Sequence, residues 1–492
     1  MAKTKAVIYK IFYAIFFCAF LIVFGKVLFA DTIYDYSTLQ LLLYLIPAAA
    51  IILLTYILLS KYRTVIERYY RIILAVFVAI YGVLILVFGF QLRFTPTFDM
   101  DSIYGGAIEW LQTGTFSDYY EYYGYFPNNL GAMTILHLIF SIAHVFGISD
   151  FFAVGIIFNS LLLAAAVLVT SLVCKKLKDS VAGVMALVFF LVCIPFLFMG
   201  AAFYTDSLSV LFPILFYYLY LHFKEQQTWK RRLIFAGCMA VVLSIGMMIK
   251  FTVLIVLLAV IIDALLCLNW KDVCLLAGCS VFLALASFGI MNTYMYSQHL
   301  DKEMCEQLNT PYLHWVMMGM QNNGSYSPED YEYTRSYGSD ERNEACLARI
   351  EERVRDMGFI GLMELFVNKA NVCFGDGSYA LSDFLDDTPE NESWLHPYIL
   401  YEGEKFSGYR HLTTGLLLTV YLFMLIGALQ CLFLKKDPQG MAALAPRLAS
   451  LGILAFLLLW ETSGRYFTNF VPLMLVCAVL SFVFKRGGKE DV

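Results

Sequence analysis

Two carboxylates stand two residues apart in Phe98-Asp99-Met100-Asp101, just beyond a long apolar run. Carboxylates so placed can share acid and base roles or orient a divalent cation such as magnesium or manganese. The plainer reading of the pair is a solvated acidic loop. Tyr104 follows, then a helix-like stretch through Glu109 that stops at Gly114. Beyond it, Tyr119, Tyr120, Tyr122, Tyr123 and Tyr125 lead into Phe126-Pro127-Asn128-Asn129. Such a run suits either a membrane-interface belt or a platform for sugar rings. Farther on, Tyr204-Thr205-Asp206 opens an apolar run, Lys250 separates two short ones, and Glu461, Arg465 and Tyr466 flank a late turn. Taken singly, each charge is explained by contact with lipid headgroups. Taken together they offer cations to a phosphate and a carboxylate to a hydroxyl awaiting activation.

The elements that carry these residues must be membrane helices. Of 492 residues, 60% are hydrophobic and only 15% charged, with a mean hydropathy of +0.70, which excludes a soluble core. Apolar runs recur from Val7 to Phe484, each long enough to cross roughly 30 Å of hydrocarbon as a helix. The net charge of -5, with its acids in loops, shows no nucleic-acid footprint. Most of the 12 cysteines sit singly inside apolar runs, with neither zinc spacing nor a disulfide framework. The first run, Val7 to Phe29, is too long for a signal-peptide core and reads as a retained span.

Twelve spans are expected: Val7 to Phe29, Leu39 to Ser60, Ile72 to Phe90, Phe151 to Val173, Val181 to Met199, Thr205 to Phe223, Leu233 to Ile249, Phe251 to Leu268, Cys274 to Tyr294, Leu412 to Leu434, Leu448 to Trp460 and Tyr466 to Phe484. The distribution of Lys and Arg tests that count, because basic residues near span ends accumulate on the cytoplasmic side. Lys3, Lys5, Lys10, Lys61, Arg63, Arg68, Lys175, Lys176, Lys178, Lys230, Arg231, Arg232, Lys271, Lys435, Lys436, Lys485 and Arg486 all fall inside. Counting Asn129 to Gly147 as a span would put Lys175, Lys176 and Lys178 outside, so this stretch is expected at the outer surface. The chain then divides into three spans in residues 1–90, a first outer loop in 91–150, six spans in 151–295, a second outer loop in 296–411, and three spans with a short cytoplasmic tail in 412–492. Leu362 to Val367 with Lys369 reads as an amphipathic segment lying on the membrane. His314-Trp315, Gly319, Phe374-Gly375-Asp376-Gly377 and Trp394 in the second loop fit either an acceptor-recognition lid or a packed outer domain.

The order and sidedness of these motifs resemble the C-type glycosyltransferase superfamily (GT-C), in its protein-mannosyltransferase and aminoarabinose-transferase-like branch. The resemblance rests on Asp99, Asp101, Tyr104, Gly114 and Phe126-Pro127, then on Phe151 to Lys178, Thr205-Asp206, Lys250, and Gly464-Arg465-Tyr466 leading to Pro472. It extends from Phe90 to Phe484. Two spans before Ile72 and the Asp-Met-Asp spacing depart from the simplest pattern.

The resemblance implies an all-α polytopic membrane protein, a GT-C-like bundle of about twelve transmembrane helices with two large extracytoplasmic loops. It implies an inverting enzyme that moves a sugar from a polyprenyl-phosphate donor to an extracytoplasmic acceptor, a cell-envelope glycan, lipid or protein. Asp99 would then be the general base, and Asp101 would orient the acceptor or, with Asp99, hold a cation. Arg465, Lys250 and Tyr466 would bind the donor phosphate, while Tyr104, Tyr125, Pro127, Asp206 and His314 would contact substrate, Asp206 alternatively pairing with one of those cations. A bacterial plasma membrane with both termini cytoplasmic is the expected setting, the endoplasmic reticulum the other. Two further functions share these features: a transporter or flippase of lipid-linked saccharides, and a non-catalytic partner in polysaccharide assembly. The first calls for internal repeats, and none is legible.

Overall fold

The computed structural model describes residues 2–385, 389–433 and 443–482. Lys435, Lys436, Lys485, Arg486 and the expected tail lie outside these described residues, as does the side chain of Lys3. The helices run in order α1 Ala2–Phe29, α2 Thr38–Lys61, α3 Arg63–Gln91, α4 Phe98–Thr113, α5 Tyr120–Tyr125, α6 Leu130–Val145, α7 Phe151–Leu177, α8 Ser180–Val192, α9 Pro195–Phe198, α10 Thr205–Leu208, α11 Leu211–Glu225 and α12 Trp229–Ile249. They continue with α13 Leu254–Cys267, α14 Trp270–Gln298, α15 Lys302–Leu308, α16 Tyr312–Gly319, α17 Pro328–Arg335, α18 Arg342–Phe374, α19 Ser382–Leu385, α20 His396–Ile399, α21 Phe406–Phe433, α22 Leu444–Leu459 and α23 Val471–Val479. Among the described residues the only β pairing is an isolated bridge between Phe94 and Pro389.

Membrane solvent explains the residue pattern of these helices. In α1, Tyr9, Tyr13, Phe16, Phe20, Val23 and Val27 are buried at alternating spacings of four and three, one stripe of a helix. Val7, Ile11, Ile15 and Ile22 on its other side are exposed yet equally apolar, as suits a face turned to lipid. The stripe packs on α21, with α18 and α22 beside it. By length and composition, ten helices of the described residues can cross a membrane. Eight of them are expected spans. The other four expected spans are the shorter apolar segments Ser180–Val192, Phe251–Cys267, Leu444–Leu459 and Thr468–Phe482. The last of these is fully buried by its neighbours.

Two expectations are corrected here. The span expected to reach Met199 stops at Val192, because Pro195 cannot donate to the helix ladder and its ring collides with the preceding turn. From Cys193 to Val210 the chain is irregular apart from α9 and α10, and it is buried almost throughout. Open backbone survives at that depth only when protein groups satisfy it. Asn159 of α7 does so by donating its Nδ2 to the carbonyls of Met199 (2.7 Å) and Gly200 (3.2 Å). A Cβ on Gly200 would lie 2.7 Å from the Ile85 carbonyl oxygen, so a bare backbone is required against α3.

The second correction concerns Lys369. Rather than lying at the membrane surface, it is fully buried and donates to the carbonyls of Gly319 (2.6 Å) and Trp460 (2.8 Å). Helix α18 breaks at Gly358, whose φ of +58° is left-handed. Residues 342–357 are rich in charge, whereas 359–374 are apolar and pack on α1 and α22. The second long loop is thus packed against the bundle: Gly319 sits against the Leu459 and Trp460 carbonyls, and Gly377 against Thr413 and Thr414. The two ambiguous helices, Pro127–Val145 and α18, both meet the length and hydropathy of a span. Helix α6 packs mainly on the acid-bearing α4 and leaves Leu138, Ile142, Val145 and Phe146 exposed.

Candidate functional site

The site is assembled from six distant stretches, around Asp99, Tyr122, Tyr204, Lys250, Asp383 and Glu461, most of them at the ends of helices or between them. Asp99 lies in the first turn of α4, where the helix dipole favours a carboxylate. Phe98 before it takes a left-handed φ of +49° and is 83% exposed, a strained entry of the kind stored at functional sites. The Asp99 carboxylate is half-buried and held by two phenols: Tyr122 donates to Oδ1 at 2.9 Å and Tyr204 to Oδ2 at 3.2 Å. Asn129 in turn donates its Nδ2 to the Tyr122 oxygen at 2.5 Å. Burial pushes the Tyr122 phenol well above its usual range, so it remains a donor.

The irregular segment after α8 supplies Tyr204 and Asp206. Asp206 is 1% exposed and faces two cations. Lys250, the extended residue that ends α12, donates to its Oδ1, and Arg465 Nε lies 3.4 Å from its Oδ2. Arg465 Nη1 also lies 3.7 Å from Asp383 Oδ2. Its guanidinium sits among the rings of Tyr204, Phe384 and Tyr466 at 5.0–5.5 Å, and Lys250 stands 4.9 Å from the Tyr466 centroid. Burial works against the charge on Arg465, but the surrounding Tyr466, Asp206, Tyr204 and Asp383 hold its pKa above the usual value.

Glu461 completes the group. It is 8% exposed and accepts from the Tyr466 hydroxyl at 3.3 Å. Burial pushes it up to about 7, Arg465 and Tyr466 oppose that rise, and Asp99 adds to it. A carboxyl that titrates near neutrality inside a charged cleft has the character of an acid–base group.

The structure therefore brings together Asp99, Asp206, Lys250, Arg465 and Tyr466 of the residues singled out in the sequence. Five others lie elsewhere. Asp101 points away from Asp99 and accepts from Tyr119 at 3.2 Å, since residues two apart on a helix face different ways. The pair thus does not converge on a cation, and among the described residues no three His, Cys, Asp or Glu side chains are grouped for a metal. Tyr104 packs its ring against Phe140, Phe152 and Phe203. Tyr125 is 9% exposed, donates to Glu121 and stacks with Arg335. Pro127 opens the turn that leads into α6. His314 is fully buried inside the second loop, with Nδ1 2.7 Å from Thr334 Oγ1 and burial lowering its pKa to about 4.

Tyr122, Asn129, Tyr204 and Glu461 stand within the motifs read from the sequence but carried no assigned role there, and Asp383 was not singled out at all.

Fold and site together define an all-helical, polytopic integral membrane protein whose irregular segments meet in a buried ion-pair centre. The chain belongs to the family of conserved hypothetical integral membrane proteins, which it matches over residues 1–484. No curated protein matches it.

Proposed function

We propose that the protein is an inverting glycosyltransferase using a polyprenyl-phosphate sugar and an extracytoplasmic acceptor, in a plasma membrane with both termini cytoplasmic. The observation that carries this reading is the meeting of a phenol-held carboxylate, Asp99, with two partly buried cations, Lys250 and Arg465, through Tyr204. In a single displacement, Asp99 takes the proton of the acceptor hydroxyl. The acceptor oxygen bonds to the anomeric carbon as the bond to the phosphate oxygen breaks, and that electron pair leaves with the phosphate. Arg465 and Lys250 stabilise the growing phosphate charge, a preorganised arrangement that needs no reorganisation during reaction. Asp206 holds both cations in place before the donor arrives. Glu461, titrating near 7, can take up a proton when an anionic donor enters. No step is routed through a metal, because Asp99 and Asp101 diverge.

The test is sugar transfer by purified protein from a synthetic polyprenyl-phosphate sugar, comparing wild type with Asp99→Asn. Transfer by wild type and its loss in the variant are expected. Full activity in the variant would remove Asp99 from catalysis, and movement of lipid-linked sugar across vesicles without transfer would favour a flippase.

A further inference from the structure

At the end of the bundle opposite Asp99, α3, α7 and α11 line an open cleft of about 500 Å³. Its position follows from the chain: Asp99 lies beyond the C-terminal end of the 29-residue α3, and the cleft lies near the N-terminal end. On α3, Arg71 stands at the rim with Leu74 one turn inward. On α7, Lys175 and Lys176 stand at the rim with Leu172 and Leu168 one and two turns inward. Two helical turns are about 10 Å, so both walls change from cationic to wholly apolar within the depth of one leaflet's upper region. Ile72, Val76 and Ile80 beside it on α3 are exposed apolar residues, which leaves the cleft open sideways to lipid.

The charges at this rim are only partly used. Lys176 pairs with Glu225 at 2.5 Å, and His222 Nδ1 lies 3.9 Å from the same carboxylate. Lys175 stands over the Tyr70 ring at 4.0 Å, and neither it nor Arg71 forms an ion pair among the described residues. Two uncompensated cations above an apolar slot match a phosphate headgroup carrying acyl chains.

We infer that this cleft is a binding site for an anionic glycerophospholipid, with Arg71 and Lys175 on its phosphate and Leu74, Leu168 and Leu172 against an acyl chain. The site is independent of the transferase reading, since it shares no residue with the Asp99 centre.

Full-length protein purified in non-ionic detergent tests it, with bound molecules counted by native mass spectrometry. The probes are dioleoyl phosphatidylglycerol, dioleoyl phosphatidylcholine, a polyprenyl phosphate and inorganic phosphate. Phosphatidylglycerol should bind tightest. The R71Q/K175Q variant should lose roughly thirtyfold in its affinity, the effect expected of two membrane-surface cations. The exposed control K230Q/R231Q and the charge-preserving R71K/K175R should bind as wild type, and L172W should fill the slot and exclude the lipid. Thermal melting in detergent without lipid reports whether each variant is folded. Equal binding of phosphatidylcholine or inorganic phosphate, tighter binding of polyprenyl phosphate, or an equal loss in K230Q/R231Q would each overturn the proposal.

Discussion

Asp206 is the residue on which the centre depends most. It is the common counter-ion of Lys250 and Arg465, and removing one partner of a buried pair leaves an uncompensated charge. Asp206→Asn should therefore cost about 3–5 kcal/mol of stability. The D206N/K250M double variant should recover part of that loss, so melting of the two singles and the double checks the coupling. Asp99→Asn should lower transfer roughly 10²–10⁴-fold, the usual contribution of a positioned base, with donor binding retained. Glu461 sets a pH dependence. Its folded pKa of about 7 lies above the ordinary carboxyl value of 4.5. The stability it contributes is thus complete below about pH 4.5 and is lost as pH rises through 7. Melting temperature should fall between pH 5 and pH 8 in wild type, and fall less in Glu461→Gln; an identical fall in both would assign the effect to another group. His314 shows why residue type alone misleads: an imidazole suits substrate contact and internal packing equally, and full burial decided for packing.

At the scale of elements, function depends on where helices stop. Pro195 ends α8 early, Gly358 splits α18, and the extended Lys250 separates α12 from α13. Each break needs local support. Asn159 is the support for the segment carrying Tyr204 and Asp206, so Asn159→Leu should strand two buried carbonyls and cost about 2–4 kcal/mol by thermal melting, with loss of transfer. Gly131 of α6 lies where a Cβ would fall on the Met248 carbonyl oxygen, two residues before Lys250. Gly131→Ala should push α6 off the end of α12 at about 1–3 kcal/mol and disturb Lys250, lowering activity more than an alanine at the unobstructed Gly237.

For the whole molecule, the governing fact is that its surface and its core are both apolar. Exposed Val, Ile and Leu on α1, α2 and α3 surround an interior of aromatic and small side chains, and the buried carboxylates Asp206 and Asp263 each face a lysine. The two long loops and the helix ends meet at the same centre, so the loops and bundle should act as one unit. Reporter fusions near Asn343 and near Gln227 should appear on opposite sides of the membrane, Asn343 outside. A cytoplasmic signal at Asn343 would reverse the sidedness of the site.

The sequence by itself determined the helical, integral-membrane class, eight long apolar helices and, apart from the early end of α8, four shorter ones, and most of the central charges. Each of these follows from one physical rule: lipid tolerates neither open backbone nor unpaired charge, so apolar runs declare helices and an isolated Asp206, Lys250 or Arg465 declares a partner. Only the tertiary structure decided which partner. It chose Asp206 for both cations, chose Tyr122 and Tyr204 from many tyrosines to hold Asp99, sent Asp101 and His314 elsewhere, and added Asp383. Those choices depend on which face of a broken helix turns inward. No local pattern encodes that direction, because in a bilayer the inward and outward faces are equally apolar.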